Sequence, residues 1–281
     1  MQIQRVLAGI SLQAPNPRAA LTAAEVAAVA HAELEVMTVL ASPWEFVPAD
    51  EVEGLRRSHL GSPADVAAQR ACERLEHLAG PAVLSAPRVS YHAAFGLPSV
   101  ELVRRAEEIP ADLIVLGNSG HGSIGPAEDV TPATLRRSRV PVLIAPPVHE
   151  VYQRVLACLD DSPHAPRVLE AATTLADCLG VHTVALHVER ATAGIAAPGR
   201  RPPWLSRMEE AGGGGTVLAL DTVVRQGDVV TEILNEEKQG PAPLIVFGYH
   251  RGMNYGAAGA ITTVAARLLR RATSALLAVP V

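Results

Sequence analysis

Two stretches of the chain place glycines directly after an apolar run. "DLIVLGNSGHG" (residues 112–122) and "PLIVFGYHRG" (243–252) both pass from Leu, Ile and Val into glycine-rich segments. Glycine at such a point lets the backbone turn with positive φ and lets a ligand approach the amides without a Cβ in the way. If a helix begins just beyond, its unpaired N–H groups and the positive end of its dipole attract an anion, phosphate above all. An ordinary strand-to-helix turn also uses glycine, so each loop taken singly leaves both readings open.

Other polar groups are less specific. Asp160 and Asp161 in "LDDS" (159–162) end an apolar run, and neighbouring side chains there diverge. Helix capping by Asp161 or Ser162 and a ligand role stay open together. His182 and His187 are an odd number of positions apart on a strand, so they face opposite sides and make no local metal pair. The other histidines show no metal-ligand spacing. "GHGSIG" (120–125) fits the dinucleotide fingerprint literally, but it follows the fourth strand of its unit and meets Ala145, not an acid, where the ribose partner belongs. No G-x-x-x-x-G-K-[ST] loop and no Ser/His/Asp nucleophile signature occurs. "GGGG" (212–215) reads as a flexible approach to a strand.

The elements that would hold these groups are written twice. "IQRVLAGIS" (3–11) returns as "YQRVLACLDDS" (152–162), "LIVLG" (113–117) as "LIVFG" (244–248), and "LRRSRVPVLIAP" (135–146) as "LRRATSALLAVP" (269–280). The offsets are 149, 131 and 134, so the second copy lacks 18 residues in its middle and regains three near its glycine loop. The pattern predicts strands near 4–10, 34–40, 88–94, 112–116 and 140–145, with helices near 17–32, 62–79, 97–109 and 131–138. The second copy predicts strands near 153–159, 182–188, 217–224, 243–247 and 275–279. Its 193–215 segment is rich in Pro and Gly and predicts a loop with room for one short helix at most. Such alternation needs a parallel sheet with helices on both faces. Domains of 1–148 and 149–281 follow, and the join "APPVHEVYQ" (145–153) is too short for a free tether.

Bulk properties agree with an α/β protein. The 281 residues are 48% hydrophobic but 3% aromatic, a composition for aliphatic layers rather than an aromatic sandwich. A net charge of −5 with scattered arginines offers no footprint for nucleic acid and no polybasic membrane patch. Cys72, Cys158 and Cys178 form no CxxC pair, and Cys158 in "RVLACLD" predicts a buried thiol, which suits a reducing cytoplasm. No apolar stretch reaches spanning length, and the N-terminus lacks a leader pattern.

The order of "LDDS" (159–162), "LHV" (186–188), "GLP" (96–98), "GNSG" (117–120) and "LRRSRVPVLI" (135–144), met across both halves, resembles the universal stress protein family. The resemblance implies two tandem doubly wound domains, each a five-stranded parallel sheet with helices on both faces, of the adenine nucleotide alpha hydrolase-like kind. It also implies ATP, with Mg as a companion, in a G-x2-G-x9-G-[ST] loop beside an Asp that ends the first strand. The first copy keeps Gly117 and Gly120 but reaches Val130 and Thr131, or by the other count Glu128 and Asp129, where Gly and a hydroxyl belong. Its first strand ends in Ile10 and Ser11 without the Asp. A carboxylate pair at a phosphate site repels the ligand.

By resemblance the second copy carries the main site. Asp160 would bind the adenosine part, Val188 and Phe247 would line the base, and the Gly248, Gly252 and Thr263 amides with the Thr263 hydroxyl would hold phosphate. Arg251 would add charge, with Leu159, Thr262 and Val264 beside them; Gly248 and Gly252 stand one residue wider than the family spacing, and Thr262 replaces a glycine. A weaker set in the first copy is Ser11, Gly117, Gly120, Gly122 and Thr131. The function implied is a cytoplasmic stress-response or signalling protein that binds ATP without turning it over, slow hydrolysis or autophosphorylation being the most it would do. The competing reading is a scaffold or sensor that binds no nucleotide and acts through protein partners or another small ligand. Family dimers imply that the two domains pair through their last strands, which also covers exposed edges, with a homodimer as a further option.

Overall fold

The computed structural model describes residues 2–13, 17–47, 62–117, 130–146, 151–189, 204, 220–240, 243–250 and 263–281. The chain divides into two compact units, Gln2–Pro147 and Val148–Val281. In the first, the described elements run β1 (Arg5–Gly9), α1 (Arg18–Ala30), β2 (Glu33–Leu40), α2 (Pro63–Ala79), β3 (Arg88–Phe95), α3 (Pro98–Glu108), β4 (Leu113–Gly117), α4 (Val130–Arg137) and β5 (Val142–Ala145). The strand order is β3-β2-β1-β4-β5, all parallel. The second contains β6 (Arg154–Leu159), α5 (Ala165–Leu179), β7 (His182–Glu189), β8 (Asp221–Gln226), α6 (Val229–Lys238), β9 (Pro243–Tyr249), α7 (Thr263–Arg271) and β10 (Ala275–Pro280). Its order is β8-β7-β6-β9-β10, again parallel.

Both units are doubly wound. The chain leaves the central strand in one direction and returns past it, so the order reverses between β1 and β4 and between β6 and β9. A crevice opens at such a switch, beyond the carboxyl ends of the strands. The central strands are continuous apolar runs because helices cover both faces: Val6–Ala8, Leu113–Leu116 and Leu244–Phe247 are all buried. Helix α1 turns Ala19, Ala20, Ala23, Ala24 and Ala27 inward, and these small side chains let it lie close to the sheet. The predicted strand at 140–145 is shorter, because the Ser138 hydroxyl bonds both the N–H and the carbonyl of Val140 in the turn before it. The strand predicted at 217–224 is found at Asp221–Gln226, and 217–219 lie outside the described residues. Of 193–215 only Trp204 is described, helical and fully buried.

The repeat extends to single hydrogen bonds. Gly96 donates to the Leu40 carbonyl and Gly227 to the Glu189 carbonyl, both at 3.0 Å, as the chain turns into α3 and α6. Their φ values of 140° and 151° are accessible only to glycine, and a Cβ would meet Glu101 or Glu232. Arg5 and Arg154 occupy equivalent strand starts. Arg5 donates to the Ile109 carbonyl, whereas Arg154 binds the Glu236 carbonyl at 2.7 Å and its carboxylate at 3.2 Å, a pair that is almost wholly buried.

Candidate functional site

In the second unit, β6 ends at Leu159 and the next residues fold through local side-chain bonds. Asp160 Oδ1 accepts from the Ser162 N–H at 3.1 Å, and Ser162 Oγ accepts from the His164 N–H at 3.3 Å. Asp and Ser side chains stand in for a backbone turn in this way, and they deliver the chain to α5 with His164 at its N-cap position. Asp160 therefore already uses one carboxylate oxygen to shape the turn; Oδ2 takes no part in it. Asp161 does not cap the helix. Its Oδ1 lies 4.0 Å from Nε2 of His187.

His187 is the group that sequence reasoning undervalued. It is 4% exposed on β7, and its Nδ1 bonds the Leu159 carbonyl at 2.9 Å. A carbonyl can only accept, so Nδ1 carries the proton and Nε2 is the nitrogen that faces Asp161. The strand pairing of Leu159 with His187 sets this contact. The sequence signal was limited to side: His182 is exposed and His187 buried, on opposite faces as their spacing predicts.

Leu159, Asp160, Val188, Phe247 and Gly248 all stand at the carboxyl ends of the adjacent strands β7, β6 and β9. Val188 is half-buried and paired with Arg225. Phe247 is 3% exposed, opposite Cys158 and Ala278, so its ring belongs to the core. Gly248 is exposed, but a Cβ there would stand 3.0 Å from Cγ2 of Val168 in α5 and 3.5 Å from Val281. A side chain at this position would thus press on α5, and Val168 would have to give way by a few tenths of an ångström. Thr263 opens α7, and Val264 follows, half-buried. Arg251, Gly252 and Thr262 lie outside the described residues.

Among the described residues, a charged contact anchors helix α7. Asp228 caps α6 by accepting from the Thr231 N–H and receives both arms of the Arg267 guanidinium at 2.7 and 2.9 Å. The bonds from Arg267 first, then those from Thr231, hold its carboxyl well below the usual range. Burial pushes the Cys158 thiol up, so it stays protonated and inert. Among the described residues, no group of three or more His, Cys, Asp and Glu side chains is arranged to hold a metal.

The first unit differs at the same place. Ser11 is exposed beyond β1, Gly117 ends β4, and Thr131 is 7% exposed inside α4. Gly120, Gly122, Glu128 and Asp129 lie outside the described residues. Glu45 ties the strand ends together: its Oε1 accepts from the Ala41 and Ser42 N–H groups, and its Oε2 accepts from Gln13 Nε2 at 2.9 Å. Nothing in the local sequence pattern pointed to this link between the loops after β1 and β2.

Comparison with known proteins converges on one family. The model of the universal stress protein family matches residues 2–146 and again 151–280. No curated protein matches the chain. Among solved structures, a universal stress protein from Archaeoglobus fulgidus DSM 4304 aligns over 100% of this chain and 99% of its own, with TM-score 0.62 and 17% identity. A protein from Pseudomonas aeruginosa UCBPP-PA14 covers 99% of this chain and 93% of its own, with TM-score 0.61 and 15% identity. A universal stress protein from Archaeoglobus fulgidus solved in complex with dAMP covers 52% of this chain and 99% of its own, at TM-score 0.34 and 15% identity.

Proposed function

The chain belongs to the universal stress protein family as two tandem domains, and from that premise we propose that it binds ATP non-catalytically, mainly through its second domain, in stress response or signalling. One observation carries the reading. Asp160 and Gly248 stand at the carboxyl ends of neighbouring strands β6 and β9, on either side of the topological switch, with Val188 on β7 next to them. A carboxylate at a strand end can accept from ribose hydroxyls, and a glycine there leaves backbone amides open to phosphate. The first domain has Ser11 at the matching strand end and the Gln13–Glu45 link across the neighbouring loops. Arg251, Gly252, Thr262, Thr263 and Val264 complete the proposed second site, and Mg accompanies the nucleotide.

The proposed setting is the cytoplasm, with the two domains paired within the chain and a homodimer as a second level of assembly. Turnover would not exceed slow hydrolysis or autophosphorylation. Nucleotide analysis of the purified protein, followed by calorimetry with ATP and Mg, tests the reading. Retained nucleotide, or binding that is lost with the second site alone, supports it. No retained nucleotide and no heat at millimolar ATP would overturn it in favour of a scaffold or sensor without nucleotide.

A further inference from the structure

Two histidines meet beside the proposed second site. His164, at the N-cap position of α5, and His250, the residue after β9, have ring centroids 5.6 Å apart and ring planes at 74°. Their meeting follows from the sheet. β6 and β9 are neighbours, α5 lies over the side of β9 to which a Gly248 Cβ would point, and strand alternation returns His250 to that side while Tyr249 is buried on the other. Both residues are exposed, and among the described residues neither ring has a carboxylate partner.

Among the described residues, the charged groups around the pair are few. The β6–α5 turn brings Asp160, engaged with the Ser162 amide, and Asp161, which faces His187. α5 brings Arg167 one turn along; β10 and Val281 after it contribute no ionisable side chain. β9 brings Tyr249, buried on the other side, and the residue after it is His250 itself.

Two imidazolium rings in edge contact repel each other, and an anion between or above them relieves that repulsion through charge-assisted N–H bonds. We propose that His164 and His250 form a proton-linked contact for the anionic end of the ligand, so that the second site holds a polyphosphate more tightly as the pair becomes charged. This rests on the nucleotide reading above and adds regulation by pH to it. Acidification that protonates the rings would therefore raise occupancy.

The test is calorimetry on the full chain with ATP and with adenosine at pH 6 and pH 8. It compares the wild type, a His164→Gln/His250→Gln variant and a His250→Lys variant, each checked for folding by its melting curve at pH 8. ATP ionises in the same range, so the wild type is read against the double variant. The wild type should gain about tenfold more in ATP affinity on acidification than the double variant does. Adenosine, without phosphate, should show no such gain, and His250→Lys should bind ATP at pH 8 about as tightly as the wild type at pH 6. Equal pH dependence in the wild type and the double variant, with ATP still bound, would overturn this proposal alone. Absence of ATP binding in every variant and the wild type would overturn it together with the nucleotide reading.

Discussion

The buried imidazole of His187 donates from Nδ1 to the carbonyl of Leu159, one residue before the carboxylate of Asp160. It pins the end of β6 to β7 at the point where the chain leaves the sheet. Replacing His187 by Leu leaves that carbonyl without its partner and should cost about 1–3 kcal/mol in denaturant unfolding. Asn, whose amide can stand near the position of Nδ1, should recover much of the loss. A His187→Leu protein as stable as the wild type would show that the bond contributes nothing.

Asp160 shapes the turn after β6 and is proposed to bind the nucleotide, and substitutions can separate the two. Asp160→Ala should weaken ATP binding by about 1.5–3 kcal/mol, the range for a hydrogen bond to a charged group. Asp160→Asn keeps an oxygen for the Ser162 N–H, so it should preserve the turn while losing the charge. Calorimetry should therefore rank affinity as wild type, then Asn, then Ala. Unchanged affinity in Asp160→Ala would remove this residue from the site.

Gly248→Val should act first on packing. Its side chain meets Val168 and Val281, and overfilling a close-packed contact costs about 1–3 kcal/mol. Adding Val168→Ala should recover part of the melting temperature. Loss of nucleotide binding at an unchanged melting temperature would instead place the conflict with the ligand.

The Asp228–Arg267 pair predicts a pH dependence with a definite sign. The carboxyl titrates lower in the folded chain than the ordinary Asp value near 3.9. Its contribution is therefore complete above the unfolded value and lost as pH falls through the folded one. Asp228→Asn retains a capping oxygen but not the charge. Urea midpoints should show the variant less stable than the wild type at pH 7, with the gap narrowing in strong acid. A gap that stays constant down to about pH 2 would contradict the pairing.

His31 ends α1 in the left-handed region at φ 52°, the position that Gly180, at φ 68°, fills after α5. A Cβ is disfavoured there, so His31→Gly should stabilise the chain by up to about 1 kcal/mol after the extra entropy of an unfolded glycine is counted. A lower melting temperature would mean that the exposed imidazole makes a compensating contact.

The sequence by itself determined the duplication, the order of strands and helices, the parallel class and the strand ends on which polar residues would stand. These depend on signals legible along the chain without any fold: apolar runs and glycine turns within a few neighbouring residues, and the return of the same phrases at offsets of 149, 131 and 134. Even the opposite facing of His182 and His187 needed nothing but the period of a strand. Tertiary structure alone decided which groups meet. His187 finds a carbonyl 28 residues away, Arg267 reaches Asp228 across 39, and Arg154 reaches Glu236 across 82. Gly248 shows the same limit, since its spacing suggested a phosphate cradle and gave no sign of its close approach to Val168 on a helix laid over the strand. Local patterns set where the backbone goes and which face a side chain takes. Partners across a sheet depend on register and on how closely a helix packs, and neither is encoded within any single stretch of the chain.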